Sequence, residues 1–299
     1  MTPHRVRLLL LFIAGSLPFL VFGGCRTWSS REERAAQAYN NGNLYREAGM
    51  YEDALSAYAL ALEHEPDMAA AIYNSALTLV TLDRSGEALE TLQSLNQQDP
   101  GNLKVLRAMG WAAWKDGRVQ ASLDYYLSVL IVSPGDKVSL KAASEVYESS
   151  DRAGEAVEMR KLLLRMDNST DSRMDLAQTL LMAERYSEAL EIFRTVILQS
   201  PGNSDALTSA SISAEHEGFY SESISYLLKL ADGEGDAGDI WWHIAEIRLV
   251  ESGNYDTGLT ALKRALDEGF SDEDAYDDFI SNTPPAVRPA VRQLLYGDL

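Results

Sequence analysis

A chain of 299 residues, 46% of them apolar, is long enough to bury a continuous core, and its 20 glycines and 9 prolines are too few for wholesale disorder. Acidic residues outnumber basic ones by 45 to 26, which gives a formal net charge of −19. Such a surface repels phosphate backbones, so we do not expect nucleic acid as a partner.

The first 24 residues have the composition of an export signal. Arg5 and Arg7 precede an apolar stretch over residues 8–22, and two glycines follow it. A basic start, a short apolar core and a small-residue exit are typical of a secretory signal peptide. The stretch is shorter than the about 20 residues that a membrane-spanning helix needs, so an uncleaved anchor is the less favoured alternative.

Cys25, the only cysteine, stands where this signal ends. The arrangement resembles the lipobox of bacterial lipoproteins, which implies that Cys25 is acylated, becomes the mature N-terminus and anchors the chain to a membrane. A free buried thiol is the alternative. Residue 26 is Arg26 and not the aspartate that marks inner-membrane retention in that family. We therefore expect a bacterial cell-envelope protein, held at the outer membrane and facing the periplasm, with residues 25–34 as its tether.

A period of about 34 residues runs through the rest of the chain. Pro66, Pro100 and Pro134 are 34 residues apart, and Pro201 follows 67 residues later. Small residues keep the same spacing at Ala54, Ala88, Ser122, Ala156, Ala189, Ser223 and Gly258.

Each period predicts two helices. Within residues 49–62, Ala54, Tyr58 and Ala61 recur at helical spacing, and Pro66 then ends the helix because it lacks an amide hydrogen. The turns between paired helices are predicted at Gly49, Gly117, Glu184-Arg185 and Gly253.

These residues resemble the tetratricopeptide repeat, most closely over residues 35–68, where Gly42, Tyr45, Ala54, Tyr58, Ala61 and Pro66 match the motif. The resemblance implies an all-α, right-handed α-solenoid of about seven stacked antiparallel helix pairs over residues 35–270, with degenerate units at 137–169 and 204–238. Residues 271–299 are interpreted as an acidic helical cap. The resemblance also implies that the first helix of each pair lines a concave groove.

The unit at 103–136 offers the strongest groove candidates. Its predicted buried face is Leu106, Met109, Gly110 and Ala113. A second stripe on one helical side comprises Lys104, Arg107, Trp111, Trp114 and Arg118. Tryptophan and arginine are the residue types that most often anchor interfaces. The alternative is that both indoles pack between repeats.

The upstream units add Tyr39, Asn43, Tyr73 and Asn74 to the same expected surface. Asn43, Asn74 and Lys104 occupy three of the five positions of the carboxylate clamp, by which some relatives hold the C-terminal carboxylate of a peptide. Because asparagine is common at those positions, we prefer a general anchor surface.

Catalytic and metal-binding motifs are not found. Gly233–Gly238 spells G-x-G-x-x-G, but a helix and not a strand precedes it and its carboxylates would repel a pyrophosphate. The same segment lacks the glutamate of a calcium loop, since His243 stands at that position. We therefore expect no catalytic residue, no metal, no cofactor and no enzymatic activity.

The sequence thus predicts a membrane-tethered adaptor that binds a protein or peptide in its groove. The alternative is a ligand-handling partner of a periplasmic solute receptor, in which the basic residues Lys104 and Arg107 bind a small anionic organic molecule. The oligomeric state is left open.

Overall fold

The computed structural model describes residues 30–233 and 237–297. Cys25, the predicted signal peptide and residues 234–236 of the glycine-rich loop lie outside them. The described part forms sixteen α-helices and one π-helical turn, without strands. The helices are α1 (Arg31–Glu47), α2 (Tyr51–His64), α3 (Ala69–Thr81), α4 (Ser85–Gln98), α5 (Leu103–Lys115), α6 (Val119–Val132), α7 (Lys137–Ser149), α8 (Ala153–Met166), α9 (Thr170–Met182), α10 (Tyr186–Gln199), α11 (Ser204–His216), α12 (Tyr220–Ala231), α13 (Gly238–Glu246), α14 (Tyr255–Asp267), α15 (Asp274–Asn282) and α16 (Arg288–Tyr296).

The first fourteen helices form seven pairs, and each pair packs against the next. This arrangement is an all-α helical repeat solenoid, as the sequence period predicts. Helix α1 begins at Arg31, where the Ser30 hydroxyl accepts the Glu33 amide and the Glu33 carboxylate accepts the Ser30 amide. Residues 31–34, which the sequence interpretation assigned to the tether, are therefore the first turn of α1.

A left-handed residue reverses the chain inside each pair. The seven residues are Gly49, Asp83, Gly117, Asp151, Glu184, Gly218 and Gly253, with φ between +56° and +76°. The turns predicted at Gly49, Gly117, Glu184-Arg185 and Gly253 are confirmed. Asp83, Asp151 and Glu184 adopt this conformation although a Cβ makes it unfavourable. Their backbone follows the same turn as the glycines of the other pairs.

The small residues that mark the period lie where paired helices touch. Ala54, Ala88, Ser122, Ala156, Ala189 and Ser223 are completely buried, and Gly258 is buried too. Four residues after each of these small residues, the second helix carries a large side chain. In the first pair this is Tyr58, whose ring lies so close to Gly42 of α1 that a Cβ added at residue 42 would be 2.5 Å from it. The spacing of small and large residues therefore sets the distance between helices.

The fourth pair, the degenerate unit at 137–169, replaces this aromatic side chain with a charge. Arg160 is buried at the position that Tyr126 and Phe193 occupy in neighbouring pairs. Its guanidinium contacts the carboxylates of Glu148 at 3.1 Å and Asp175 at 3.1 Å. A buried charge is tolerated only when such partners are present, so this pair is held together by an ion network across α7, α8 and α9.

The array ends in an aromatic cluster and a final helix pair. Trp242 of α13 stacks on Phe270 at 4.0 Å between ring centroids and contacts Phe279 of α15 at 4.4 Å. The other side of α15 exposes acidic residues such as Asp274 and Asp277. Helices α15 and α16 thus cover an apolar end and present a polar surface, which is the arrangement that a terminal cap requires.

Candidate functional site

Three successive first helices, α3, α5 and α7, line a cleft of about 530 Å³. We call it the aromatic cleft. Its lining residues are Tyr73, Leu77, Arg107, Ala108, Trp111, Trp114, Tyr126, Val138, Lys141, Ala142 and Glu145. Helix α5 contacts both α3 and α7, so residues of all three helices share this cleft.

Trp111 and Trp114 are both half-buried. Each packs one part of its indole against a neighbouring hydrophobic cluster, and both line the cleft with the remainder. Neither indole is therefore fully enclosed between repeats, in contrast to the alternative interpretation of the sequence. The predicted buried face beneath them is confirmed, since Leu106, Met109 and Ala113 are at most 8% exposed. The indoles are therefore fixed on a packed helix while part of their surface is open to the cleft.

Lys104 lies at the edge of the cleft. Its ammonium is 4.2 Å from the centre of the Tyr73 ring, and the lysine is exposed. A cation over an aromatic face is attracted to the ring quadrupole but keeps its full charge. Burial raises the pKa of the Tyr73 hydroxyl, so that group remains a neutral donor or acceptor.

Arg107 forms an ion pair within the protein. Its guanidinium donates to Asp136 at 2.5 Å, and Asp136 also caps α7 by accepting the Ser139 amide at 2.8 Å. Although burial acts in the opposite direction, the hydrogen bonds from Ser139 and the Arg107 charge hold the pKa of Asp136 below its ordinary value. Arg107 thus joins α5 to α7, which weakens the interpretation of Lys104 and Arg107 as a free basic pair. Arg118, the last member of the predicted stripe, lies beyond α5 and pairs with Asp116 at 2.6 Å.

Tyr39, Asn43 and Asn74 form a separate hydrogen-bond network. The Asn43 side-chain oxygen accepts the Tyr58 hydroxyl and the Asn74 amide, both at 2.8 Å. The same Asn74 amide lies 3.1 Å from the Tyr39 hydroxyl. None of the three lines the aromatic cleft. The two asparagines that match clamp positions therefore bind each other, and their network connects α1, α2 and α3.

The contribution of α7 to the cleft is not predicted by the sequence motifs. Its residues Val138 and Lys141 belong to the degenerate unit at 137–169. The period could have found them, because Tyr73, Arg107 and Lys141 are each 34 residues apart and occupy the same position in successive repeats. A motif match overlooks such residues, whereas counting by the period does not.

A second cleft, of about 460 Å³, lies between α11, α13 and α15. His243 contacts Glu215 at 2.9 Å, and this hydrogen bond raises the pKa of His243. Burial raises the pKa of Glu246 beside it. A π-helical turn, Ile247–Glu251, follows α13 and places Glu251 on the cleft wall. Among the described residues, no group of three His, Cys, Asp or Glu side chains is arranged to hold a metal ion. No helix in the described part is long and apolar enough to cross a membrane.

Comparisons with known proteins agree with this repeat architecture. The tetratricopeptide repeat family model matches residues 45–112. Mouse sperm-associated antigen 1 is 29% identical over 135 residues, which are 44% of this chain and 15% of that protein. The chain therefore spans only a small part of that relative's length.

Two solved structures show the same fold. A tetratricopeptide repeat protein from Parabacteroides merdae, 16% identical, superposes with a TM-score of 0.55 over 88% of this chain and 97% of that chain. A structure described as Naa15/Naa10 bound to HypK-THB, also 16% identical, reaches 0.61 over 83% of this chain and 39% of that chain. At these identities the likeness concerns the fold alone.

Proposed function

Because a tetratricopeptide repeat model matches residues 45–112 and the described part is a helical repeat solenoid, we propose that the chain is a non-catalytic scaffold that binds a segment of a partner protein in the aromatic cleft. The observation that supports this proposal is the partial exposure of Trp111 and Trp114 in one cleft, on a helix whose other side is packed. Indoles fixed in this way lose little entropy on binding and bury a large apolar area.

The cleft assignment is tested in two steps. A photo-crosslinking residue at Ala142, on the cleft wall, should capture the partner, whereas one at the exposed Leu198 of α10 should not. The affinity of the captured partner is then measured for purified variants. Trp111→Ala or Trp114→Ala should each weaken binding by about 2 kcal/mol or more, roughly 30-fold, as expected for an interface anchor. Leu198→Ala, which also removes an exposed apolar side chain, should leave the affinity unchanged.

Stability is the second measurement. The indoles are half-buried while the apolar face beneath them is not altered, so melting of the variants should remain cooperative. A partner that binds the Trp111→Ala/Trp114→Ala double variant with full affinity would show that the cleft is not the binding site.

We further propose that the scaffold is tethered to the bacterial cell envelope through an acylated Cys25, at the outer membrane and facing the periplasm. The support is the sequence of residues 1–26, which lie outside the described part of the structure. Several acyl chains bind a bilayer firmly, since each buried CH₂ contributes about 0.8 kcal/mol. Mass spectrometry of the mature N-terminus should find a diacylated or triacylated cysteine. A cleaved chain without acyl groups would contradict the proposal.

Two substitutions separate anchoring from membrane choice. Cys25→Ser should abolish acylation and release the protein or leave it unprocessed. Arg26→Asp should move the acylated protein from the outer to the inner membrane, because aspartate at that position is the retention signal of the lipoprotein family. If the unaltered protein and the Arg26→Asp variant are distributed equally between the two membranes, the outer-membrane assignment is refuted but the anchor is not.

Ligand handling is the second candidate function. A cleft of about 530 Å³ with Lys104 and Lys141 at its margins is large enough for a small organic anion. We rank it second because Arg107 is paired with Asp136 and the walls are largely apolar. Calorimetric titration with small dicarboxylates distinguishes the two functions, since a scaffold should give no heat of binding.

A further inference from the structure

The walls of the aromatic cleft combine cations with apolar side chains in one repeated register. The position held by Tyr73 in the second pair is held by Arg107 in the third and by Lys141 in the fourth. Because successive pairs stack, these three side chains line one cleft together. The contacts of α5 and α7 thus place two successive cations beside the indoles.

Positive charge is in excess around this cleft, although the whole chain carries −19. Asp136 neutralises Arg107, and Glu145 is 4.0 Å from Lys141. Lys104 and Lys115 contact the rings of Tyr73 and Trp114 and form no ion pair with any carboxylate in the described residues. These lysines therefore keep charges that no neighbouring side chain balances.

The positive margin continues beyond the cleft. A smaller cleft of about 220 Å³ shares Lys141 and is lined by Lys137 as well. Lys137 forms no ion pair with a carboxylate in the part of the chain that the structure describes. Asp167 and Asp175 line the same smaller cleft, and Asp175 is paired with the buried Arg160. A segment that runs from the indoles along α7 therefore passes Lys141, which is 4.0 Å from Glu145, and then Lys137, which has no carboxylate partner among the described residues.

Apolar surface accompanies the cations. Val138 is 61% exposed and faces the cleft together with Leu77 and Ala142. An aliphatic or aromatic side chain can enter between these residues and the indoles, where it would lose contact with water.

We propose that the partner segment bound in the aromatic cleft is acidic, with one bulky apolar side chain as its anchor and carboxylates on either side of it. This inference rests on the proposed function and specifies the chemistry of its partner. The apolar anchor fills the space beside Trp111 and Trp114, and the flanking carboxylates pair with Lys104 on one margin and with Lys141 and Lys137 on the other. Opposite charges across an interface increase the association rate and reject segments of the wrong charge.

Synthetic peptides of defined sequence test the proposal on the purified protein, and the natural partner need not be known. The probes are three fluorescent eight-residue peptides, each with one central phenylalanine, flanked by Asp and Glu, by Asn and Gln, or by lysine. We expect the acidic peptide to bind at least 10-fold more tightly than the amide peptide at low salt and the lysine peptide to bind worst. The preference should shrink as salt is added, because the contacts are near the surface. A fourth peptide, acidic but without phenylalanine, should bind poorly.

Charge variants of the protein give the matched comparison. Lys104→Glu and Lys141→Glu should each reduce the affinity for the acidic peptide several-fold and leave that for the amide peptide unchanged. Lys263→Glu, an exposed lysine of α14, makes the same change in net charge away from the cleft and should have no effect. Glu145→Gln removes the carboxylate beside Lys141 and should strengthen binding of the acidic peptide.

The outcomes separate this inference from the function on which it rests. Equal affinity for acidic and amide peptides, with loss of both in the Trp111→Ala/Trp114→Ala variant, would overturn the acidic assignment and leave the cleft as a binding site. Binding of the acidic peptide that is insensitive to the double tryptophan variant would overturn both. Failure of all four peptides to bind at millimolar concentration would also overturn the acidic assignment.

Discussion

Replacing Gly110 with alanine tests how closely α5 and α6 approach beneath the aromatic cleft. Gly110 is buried and faces the ring of Tyr126, which is only 3% exposed. A Cβ at residue 110 would lie 2.8 Å from Cζ and 2.9 Å from Cε1 of that ring. Carbon atoms do not approach so closely, so the ring or the helix must move.

The magnitude follows from two opposing effects. Overpacking of a core costs about 1–3 kcal/mol, while replacement of glycine by alanine inside a helix contributes about 1 kcal/mol of stability. The close contacts to a buried ring decide the sign, and we expect Gly110→Ala to lower the free energy of unfolding by about 1–2 kcal/mol. Because Tyr126 also lines the aromatic cleft, its displaced ring should reduce the affinity for the partner segment as well.

Denaturant unfolding followed by circular dichroism measures the change. Gly154→Ala in α8 is the matched control, because no atom lies within 4 Å of its added Cβ and the substitution should be neutral or stabilising. Tyr126→Leu combined with Gly110→Ala should recover part of the loss, since it removes the ring that the Cβ meets. If Gly110→Ala behaves like Gly154→Ala, the close approach of the two helices is refuted.

Three further changes examine the repeat contacts and the second cleft. Ala88→Leu should destabilise by about 1–3 kcal/mol in thermal or denaturant unfolding, because residue 88 is fully buried between helices. Asn74→Ala should cost about 0.5–1.5 kcal/mol in the same assay, since it removes the hydrogen bonds of the Asn74 amide to the Asn43 oxygen and the Tyr39 hydroxyl while Asn43 keeps the one from Tyr58. His243→Gln should remove a fall in stability that the unaltered protein shows as pH rises above about 6.5.

Each of these three has its own control. Glu90→Leu places the same side chain on the exposed side of α4 and should be nearly neutral; equal loss in both leucine variants would mean that the helical register is wrong. Gln97→Ala removes an exposed amide and should not change stability. If the fall in stability with rising pH persists unchanged in His243→Gln, a group other than His243 causes it.

The sign of the pH effect follows from the contact with Glu215. That hydrogen bond raises the pKa of His243 in the folded protein. The stability that the contact contributes is therefore complete below the pKa of His243 in the unfolded chain and is lost as the pH rises through its pKa in the folded protein. The raised pKa of Glu246 acts in the same direction, because its charged form is disfavoured by burial. Glu222 has a lowered pKa, chiefly through its hydrogen bond from Arg194, and loses its contribution in acid instead.

The sequence by itself determined the repeat, because its physical basis is local. Small residues at Ala54, Ala88 and Ala189 recur with the period at which helices must touch, and proline and left-handed turns end helices through backbone sterics alone. The buried and open sides of α5 followed from helical spacing for the same reason, so the sequence placed Trp111 and Trp114 on one side.

Only the tertiary structure decided which polar groups remain available to a partner. Arg107 and Asn43 stand at groove positions in the sequence, yet Asp136 binds the first and Tyr58 and Asn74 bind the second. Those partners lie 15 to 31 residues away along the chain. The repeat period alone does not specify which side chains of different helices form hydrogen bonds. Hydrogen bonds depend on distances of about 3 Å, which the stacking of whole repeats sets. The cleft wall from α7 emerged for the same reason, because it exists only once α5 and α7 are packed side by side.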